Sequence, residues 1–200
     1  IAAYAELRTY REQLSGVIEH RILGTPIRTM CRSRTLFIAP RSFRHEMYGV
    51  GPSRRPSSIY VHDGAESWDY EPESGWQAVE TVRKLTSGLF GGSIAYGGQG
   101  YWTLSMLVPE DDLAYPSLRT LSEVVVKGAD KLDGERCVVF EGAYRRRDQL
   151  RIWASEKSRM ILRIDSEFSK TESGSFRYRP EMNVAISPDE LARRSQGDEA

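Results

Sequence analysis

The sequence predicts a mainly β protein with a few helices, of the α+β class. Two observations carry the prediction. Asp63-Gly64 and Asp133-Gly134 each sit between runs that alternate or are rich in β-branched residues, and Asp-Gly is the strongest short-range hairpin signal because it tolerates positive φ at both centres of a type I′ turn. Helical periodicity, by contrast, is confined to short stretches between long strand-like runs.

Taken in order, Ala3, Leu7, Tyr10 and Leu14 recur at spacings of four, three and four, which predicts one amphipathic helix over residues 3–14, ended near Gly16. Strand text follows from Val17 to Tyr48: VIEHRIL, a turn at Gly24-Thr25-Pro26, IRTMCRSRTLFI, a break at Ala39-Pro40, and SFRHEMY. In SSIYVHDGAESWDYEPESGW, a two-residue loop at Asp63-Gly64 would set Ile59 opposite Trp68 and Ser57 opposite Tyr70. One face of that hairpin then carries Ile59, Val61, Trp68 and Tyr70, the division expected of an antiparallel sheet covered on one side.

Glu73-Ser74-Gly75 turns the chain again, and Trp76, Val79, Val82, Leu85 and Leu89 suit a helix. GLFGGSIAYGGQG, residues 88–100, reads as a long glycine-rich loop carrying Leu89, Phe90, Ile94 and Tyr96, expected to act as a lid over an apolar site. TLSMLV, residues 103–108, is of undetermined type. LSEVVVKGADKLDGERCVVFEG is a second hairpin, with Cys137 opposite Asp130 and both faces apolar, so cover on both sides is expected. A third hairpin crosses Glu156-Lys157, and another strand follows a turn at Ser173-Gly174. Ser187-Pro188-Asp189-Glu190 is a capping box heading a short helix. The expected organisation is a single domain over residues 1–192 and a polar tail over 193–200.

The 28 basic and 28 acidic residues cancel, and the pI lies near 7.0, so no global field attracts nucleic acid. Arg145-Arg146-Arg147 is the only basic run and reads as a solvated turn. No apolar stretch is long enough to span a membrane, and Ile1 opens directly into helix-like text, as expected of a processed form. Cys31 and Cys137 stand in no metal-like spacing and are expected to remain free, as small apolar residues.

Catalytic chemistry finds little support. His20, His45 and His62 each fall on a strand without a partner cluster, and no metal-binding, nucleophile-elbow, phosphate-loop or dinucleotide signature occurs. His62 and Asp63 are adjacent on a strand and point to opposite faces. Asp111-Asp112 and Asp189-Glu190 lie in a breaker segment and a helix cap, where carboxylates are ordinary. The reading is a non-enzyme without metal or cofactor.

Five segments, TLFIAPRSFRHEM, IYVHDGAESWDYEPESG, KLDGERCVVFEG, LRIWASEKSRMILRI and RYRPEMNVAISPDEL, resemble in order and spacing the lipoprotein-carrier superfamily of LolA, LolB and RseB, including its outer-membrane lipoprotein-sorting-like members. The resemblance spans nearly the whole chain. It implies an open, curved antiparallel half-barrel whose concave face, lidded by helices and a loop, binds acyl chains. Phe37, Phe43, Met47, Ile59, Val61, Trp68, Tyr70, Leu89 and Phe90 would then line that face. It further implies a monomer in the periplasm or cell envelope that binds and transfers lipid or lipoprotein acyl chains. The alternative is an RseB-like regulatory module that senses lipoprotein or grips an anti-sigma partner. One departure stands out: Ala39 precedes Pro40, where carriers of the LolA type place a basic residue.

Overall fold

The structure, a computed structural model, describes residues 2–23, 25–49, 55–79, 100–110, 117–144, 148–169 and 171–193. After a short helix α1 (Ala2–Ala5) come six strands, β1 (Thr9–Ile22), β2 (Thr25–Ile38), β3 (Ser42–Tyr48), β4 (Ser58–His62), β5 (Ser67–Glu71) and β6 (Gly75–Val79). Helix α2 (Gly100–Leu107) and a 3-10 turn (Leu118–Thr120) precede β7 (Ser122–Leu132), β8 (Glu135–Tyr144), β9 (Asp148–Ser155), β10 (Ile161–Ser169), β11 (Glu172–Met182) and a last helix α3 (Pro188–Leu191).

All eleven strands form one open antiparallel sheet, a half-barrel, in the order β6-β5-β4-β3-β2-β1-β11-β10-β9-β8-β7. Two meanders are thus joined at their middle by β1 against β11, paired from Tyr10↔Met182 to His20↔Glu172. The first meander ends at one edge and the second starts at the other. At about 4.8 Å per strand spacing the connection between them must cross some 48 Å of sheet. The described part of that connection lies on one face, called the inner face here, where Trp102, Leu104, Met106, Leu107 and Val108 of α2 and its end join one apolar core with Tyr10, Leu14, Phe37, Ile152, Ile164 and Phe176.

Residues 9–14 are strand, not helix. Tyr10, Leu14 and Ile18 are all buried, and a spacing of four satisfies a strand, whose faces repeat every two residues, as well as a helix. The inward positions between them are Glu12 and Gly16, which disguise the alternation. The true α1 is only four residues, with Tyr4 buried. Residues 76–79, expected to begin a helix, belong to strand β6; the rest of that expected helix lies outside the described residues. The undetermined TLSMLV belongs to α2 and its last turn.

Turn chemistry is mostly as expected, with one shifted register. At Asp133-Gly134 both residues have positive φ, 51° and 87°, and Cys137 pairs with Asp130. Around Asp63-Gly64 the loop has four residues rather than two: Asp63 Oδ1 accepts from the amides of Ala65 and Glu66, both at 2.9 Å, and His62 pairs with Ser67. The register therefore slips by two, Val61 facing Trp68 and Ile59 facing Tyr70. An even slip preserves faces, so these four side chains still share one. Ser173-Gly174 is strand instead of turn; the glycine there makes room for a ring and not for a bend, since Phe176 occupies the space a Cβ at Gly174 would need.

The expected cover on both sides of β7 and β8 is found only for β8. Val139 and Cys137 pack with Leu132 and Trp153 on the outer face, whereas Val124, Val125 and Val126 on the edge strand are exposed. The capping box of α3 is formed: the Glu190 amide donates to Ser187 Oγ at 3.3 Å and the Ser187 amide to Glu190 Oε1 at 3.1 Å. Arg193, expected to start the tail, lies over the Trp68 ring at 3.5 Å; residues 194–200 and 145–147 lie outside the described residues.

Candidate functional site

The inner face is the strongest candidate, because it is the apolar surface that the chain goes farthest to cover. Alternation aims Tyr10, Leu14 and Ile18 of β1, Phe37 of β2, Phe43 of β3 and Tyr60 of β4 to this side, joined from the second meander by Leu150, Ile152, Ile164, Phe176 and Tyr178. Across them lies α2. Its Trp102 meets Phe176 edge-on at 5.8 Å and Tyr144 at 6.4 Å between ring centroids, a favoured arrangement for aromatic pairs. Arg119 from the 3-10 turn donates to the carbonyl of Met106 at 2.7 Å and holds the exit of the helix.

Within this apolar field lies one buried carboxyl. Glu12 is 1% exposed, accepts from Tyr10 Oη at 2.5 Å and from Thr103 Oγ1 of α2 at 2.8 Å, and so ties helix to sheet. Burial pushes its pKa up to about 7, against the smaller opposing effect of those two hydrogen bonds. Burial first, and then the charge of Glu12, raise the Tyr4, Tyr10 and Tyr178 phenols well above their ordinary range. Tyr4 Oη also accepts from the Ile161 amide at 3.0 Å, which carries the network from α1 to β10.

The expected ligand-binding residues divide between the two faces. Phe37, Phe43 and Met47 lie on the inner face at 1%, 0% and 6% exposure, and Phe43 stacks with Tyr60 at 5.8 Å. Ile59, Val61, Trp68 and Tyr70 share a face as expected, but it is the outer one: Val61 pairs with Arg44 and Ile59 with Glu46, while Phe43 and His45 point the other way. The physical reason is parity along β3, whose inward Phe43 and Met47 leave Arg44 and Glu46, and everything paired with them, outward. That outer side is covered by the chain's own C-terminal segment: Leu191 is buried, Arg44 Nη1 donates to the Ala192 carbonyl at 2.9 Å, and Arg193 caps Trp68. Leu89 and Phe90, and with them the expected lid, lie outside the described residues.

The histidines are placed structurally. His45 is buried, its Nδ1 at 3.0 Å from Thr35 Oγ1, and burial lowers its pKa to about 4 despite the neighbouring Glu46. His62 Nδ1 lies 3.0 Å from Ser67 Oγ. Among the described residues no three His, Cys, Asp or Glu side chains gather as metal ligands, and no helix is long and apolar enough to cross a membrane. Cys31 and Cys137 are free and buried, on opposite faces. Sequence reasoning missed Glu12, Tyr4, Thr103 and Trp102. The signal for Glu12 was there: it lies two residues from both Tyr10 and Leu14, so a strand puts it on their face.

No family model matches the chain, and no curated protein does. Solved structures do. A conserved protein of Thermus thermophilus, described only as uncharacterized, is similar at a TM-score of 0.50 and 10% identity, over 92% of this chain and 86% of that one. Lipoprotein LppX of Mycobacterium tuberculosis is similar at 0.50 and 11% identity, over 94% and 93%. A LolA superfamily protein of Nitrosomonas europaea aligns over 96% and 95% at a TM-score of 0.42 and 11% identity. What is shared is the fold. It is the half-barrel to which the order of sequence segments pointed.

Proposed function

We propose that the protein is a non-enzymatic binder of lipid or lipoprotein acyl chains, which it holds on the inner face of the half-barrel and passes on within the cell envelope as a monomer. The observation that carries this reading is the inner face itself, an apolar field spanning both meanders and covered, among the described residues, by short elements: the eight-residue α2, with Tyr4 of α1 and Leu118 of the 3-10 turn. The fold it shares with lipoprotein LppX supports the same reading. Each methylene moved from water into such a field contributes about 0.8 kcal/mol, so an acyl chain needs no charged anchor. Phe37, Phe43 and Met47 are the residues assigned to the chain's path, together with Trp102 and Met106 of α2.

One observation favours a second role, as a regulatory module that grips an envelope protein. Edge strand β7 exposes Val124, Val125 and Val126 at 53%, 56% and 67%, a surface suited to an added strand. Native mass spectrometry after mild purification tests the first reading. Co-purified lipid, released on Phe43→Ser but retained on Val125→Ser, is the expected result. A lipid-free protein that also fails to bind added fatty acid would overturn it.

A further inference from the structure

We propose that a groove on the outer face, across β11, β1, β2 and β3, binds a phosphate group. The antiparallel registers put Arg179, Gln13 and Arg34 in one cross-strand row and Arg177, Ser15, Arg32 and Tyr48 in the next. Between these rows lies a groove of about 500 Å³, lined by Gln13, Ser15, Arg32, Arg34, Tyr48 and Arg179 and by no acidic side chain among the described residues. Because basic and acidic residues cancel over the whole chain, this concentration of guanidinium groups is local and not a consequence of net charge.

The arginine field already takes carboxylates from its own chain along its borders. Glu190 of α3 accepts from Arg11 at 2.9 Å and from Arg34 at 3.4 Å, and Glu46 lies 3.8 Å from Arg34. Those acids sit on the side of β3 and α3; at the β11 side Glu181 lies 3.5 Å from Arg11 and Asp133 3.1 Å from Arg177, both outside the groove's lining. Towards β11 no carboxylate follows in the lining, while Gln13 and Ser15 are exposed and bring an amide and a hydroxyl. Arg32 is held with its guanidinium 5.7 Å from the Tyr48 ring centroid, which orients its fork. Several forked donors round one space suit a group with more than one charged oxygen, and phosphate fits that better than a single carboxylate.

The groove lies on the opposite face from the proposed acyl-chain site, so the inference does not rest on that reading. Two sources share the chemistry, a soluble phosphate ester and the headgroup of an anionic phospholipid. The test uses wild type, the double variant Arg32→Gln/Arg179→Gln, and Arg151→Gln as a control away from the groove, with thermal melts to establish that each is folded. Sodium phosphate is titrated by NMR in one arm. In the other, vesicles of phosphatidylcholine and phosphatidylglycerol at 3:1 are used in flotation, with roughly 50 and 200 mM salt compared because charge-driven binding weakens with salt. Expected is wild-type binding that falls with salt and is weakened at least tenfold in the double variant but not in the control. Saturation by phosphate alone assigns a soluble ester, and binding to vesicles alone assigns the headgroup. Absence of binding in both arms, or binding of the double variant within twofold of the control, would overturn the proposal.

Discussion

Thr103 Oγ1 of α2 donates to Glu12 Oε1 of β1 at 2.8 Å, inside an otherwise apolar core. A carboxyl raised from 4.5 to about 7 binds its proton more tightly in the folded state than in the unfolded. Its contribution is therefore complete below about pH 4.5 and is lost as pH rises through about 7. The size is about 3 kcal/mol between those limits. Buried His45, lowered to about 4, gains stability with pH over much of the same window, so the readout is the difference between variant and wild type: in chemical denaturation across pH 4.5 to 8, Glu12→Gln should gain stability relative to wild type as pH rises and be the more stable protein at pH 8. A difference between variant and wild type that stays constant over that range would contradict the assignment.

Phe176 is set between two glycines. A Cβ at Gly16 would overlap its ring Cδ1, and one at Gly174 would overlap Cζ. Gly16→Ala and Gly174→Ala should each destabilise by about 1–3 kcal/mol, the usual range for overfilling a packed core. Combining Gly174→Ala with Phe176→Leu should recover part of that loss, since the branched chain is shorter than the ring. Additive losses in the double-mutant cycle would show that the ring is not the obstacle.

The division of aromatics between faces separates two variants. Phe43→Ala, on the inner face, should cost about 3–5 kcal/mol and reduce retention of a bound fatty acid. Trp68→Ala, on the outer face beneath Arg193, should leave retention unchanged and remove only local packing and a cation–π contact of about 0.5–2 kcal/mol. Equal loss of fatty acid from both would move the ligand to the outer face.

Cys31 packs in the inner core and Cys137 in the outer cluster with Trp153. Burial raises both thiols, Cys31 to about 11, so neither is a ready nucleophile. Reducing agent should leave the melting temperature within a degree or so of its value without it. A fall of many degrees would require a bridge, typically worth about 2–4 kcal/mol.

Much of the sheet was legible because turn chemistry is local. Asp133-Gly134 fixed its hairpin, Glu73-Ser74-Gly75 the next turn along the first meander, and Ser187 the cap of α3. The apolar face of the β4-β5 hairpin was legible too, since an error of two residues in register leaves side-chain faces unchanged. Which face of the whole sheet it joined was not: that depends on β3, where Arg44 and Glu46 are buried beside the apolar set instead of marking a solvated side. Charge in a strand is normally read as exposure. Here Glu46 is held ionised, its burial outweighed by hydrogen bonds from Arg44 and Tyr48 and by the charges of Arg44 and Arg34. The β1 strand was misread because a buried acid and a glycine occupy its inward positions, and both have reasons visible only in three dimensions: α2 above Glu12, and Phe176 against Gly16.

The seam between β1 and β11 orders events in time. Every other strand pairs with a neighbour in sequence and can zip as soon as it is made, but residues 10–20 must wait for residues 172–182. Contacts of such separation are slow to close and leave intermediates open meanwhile. Until β11 arrives, fourteen residues of β1 present a bare ladder edge, the kind of surface on which chains join one another. A polypeptide emerging from a ribosome or a translocation pore in this state is the form most in need of a chaperone, and a chain halted before residue 172 has no means of sealing that edge for itself.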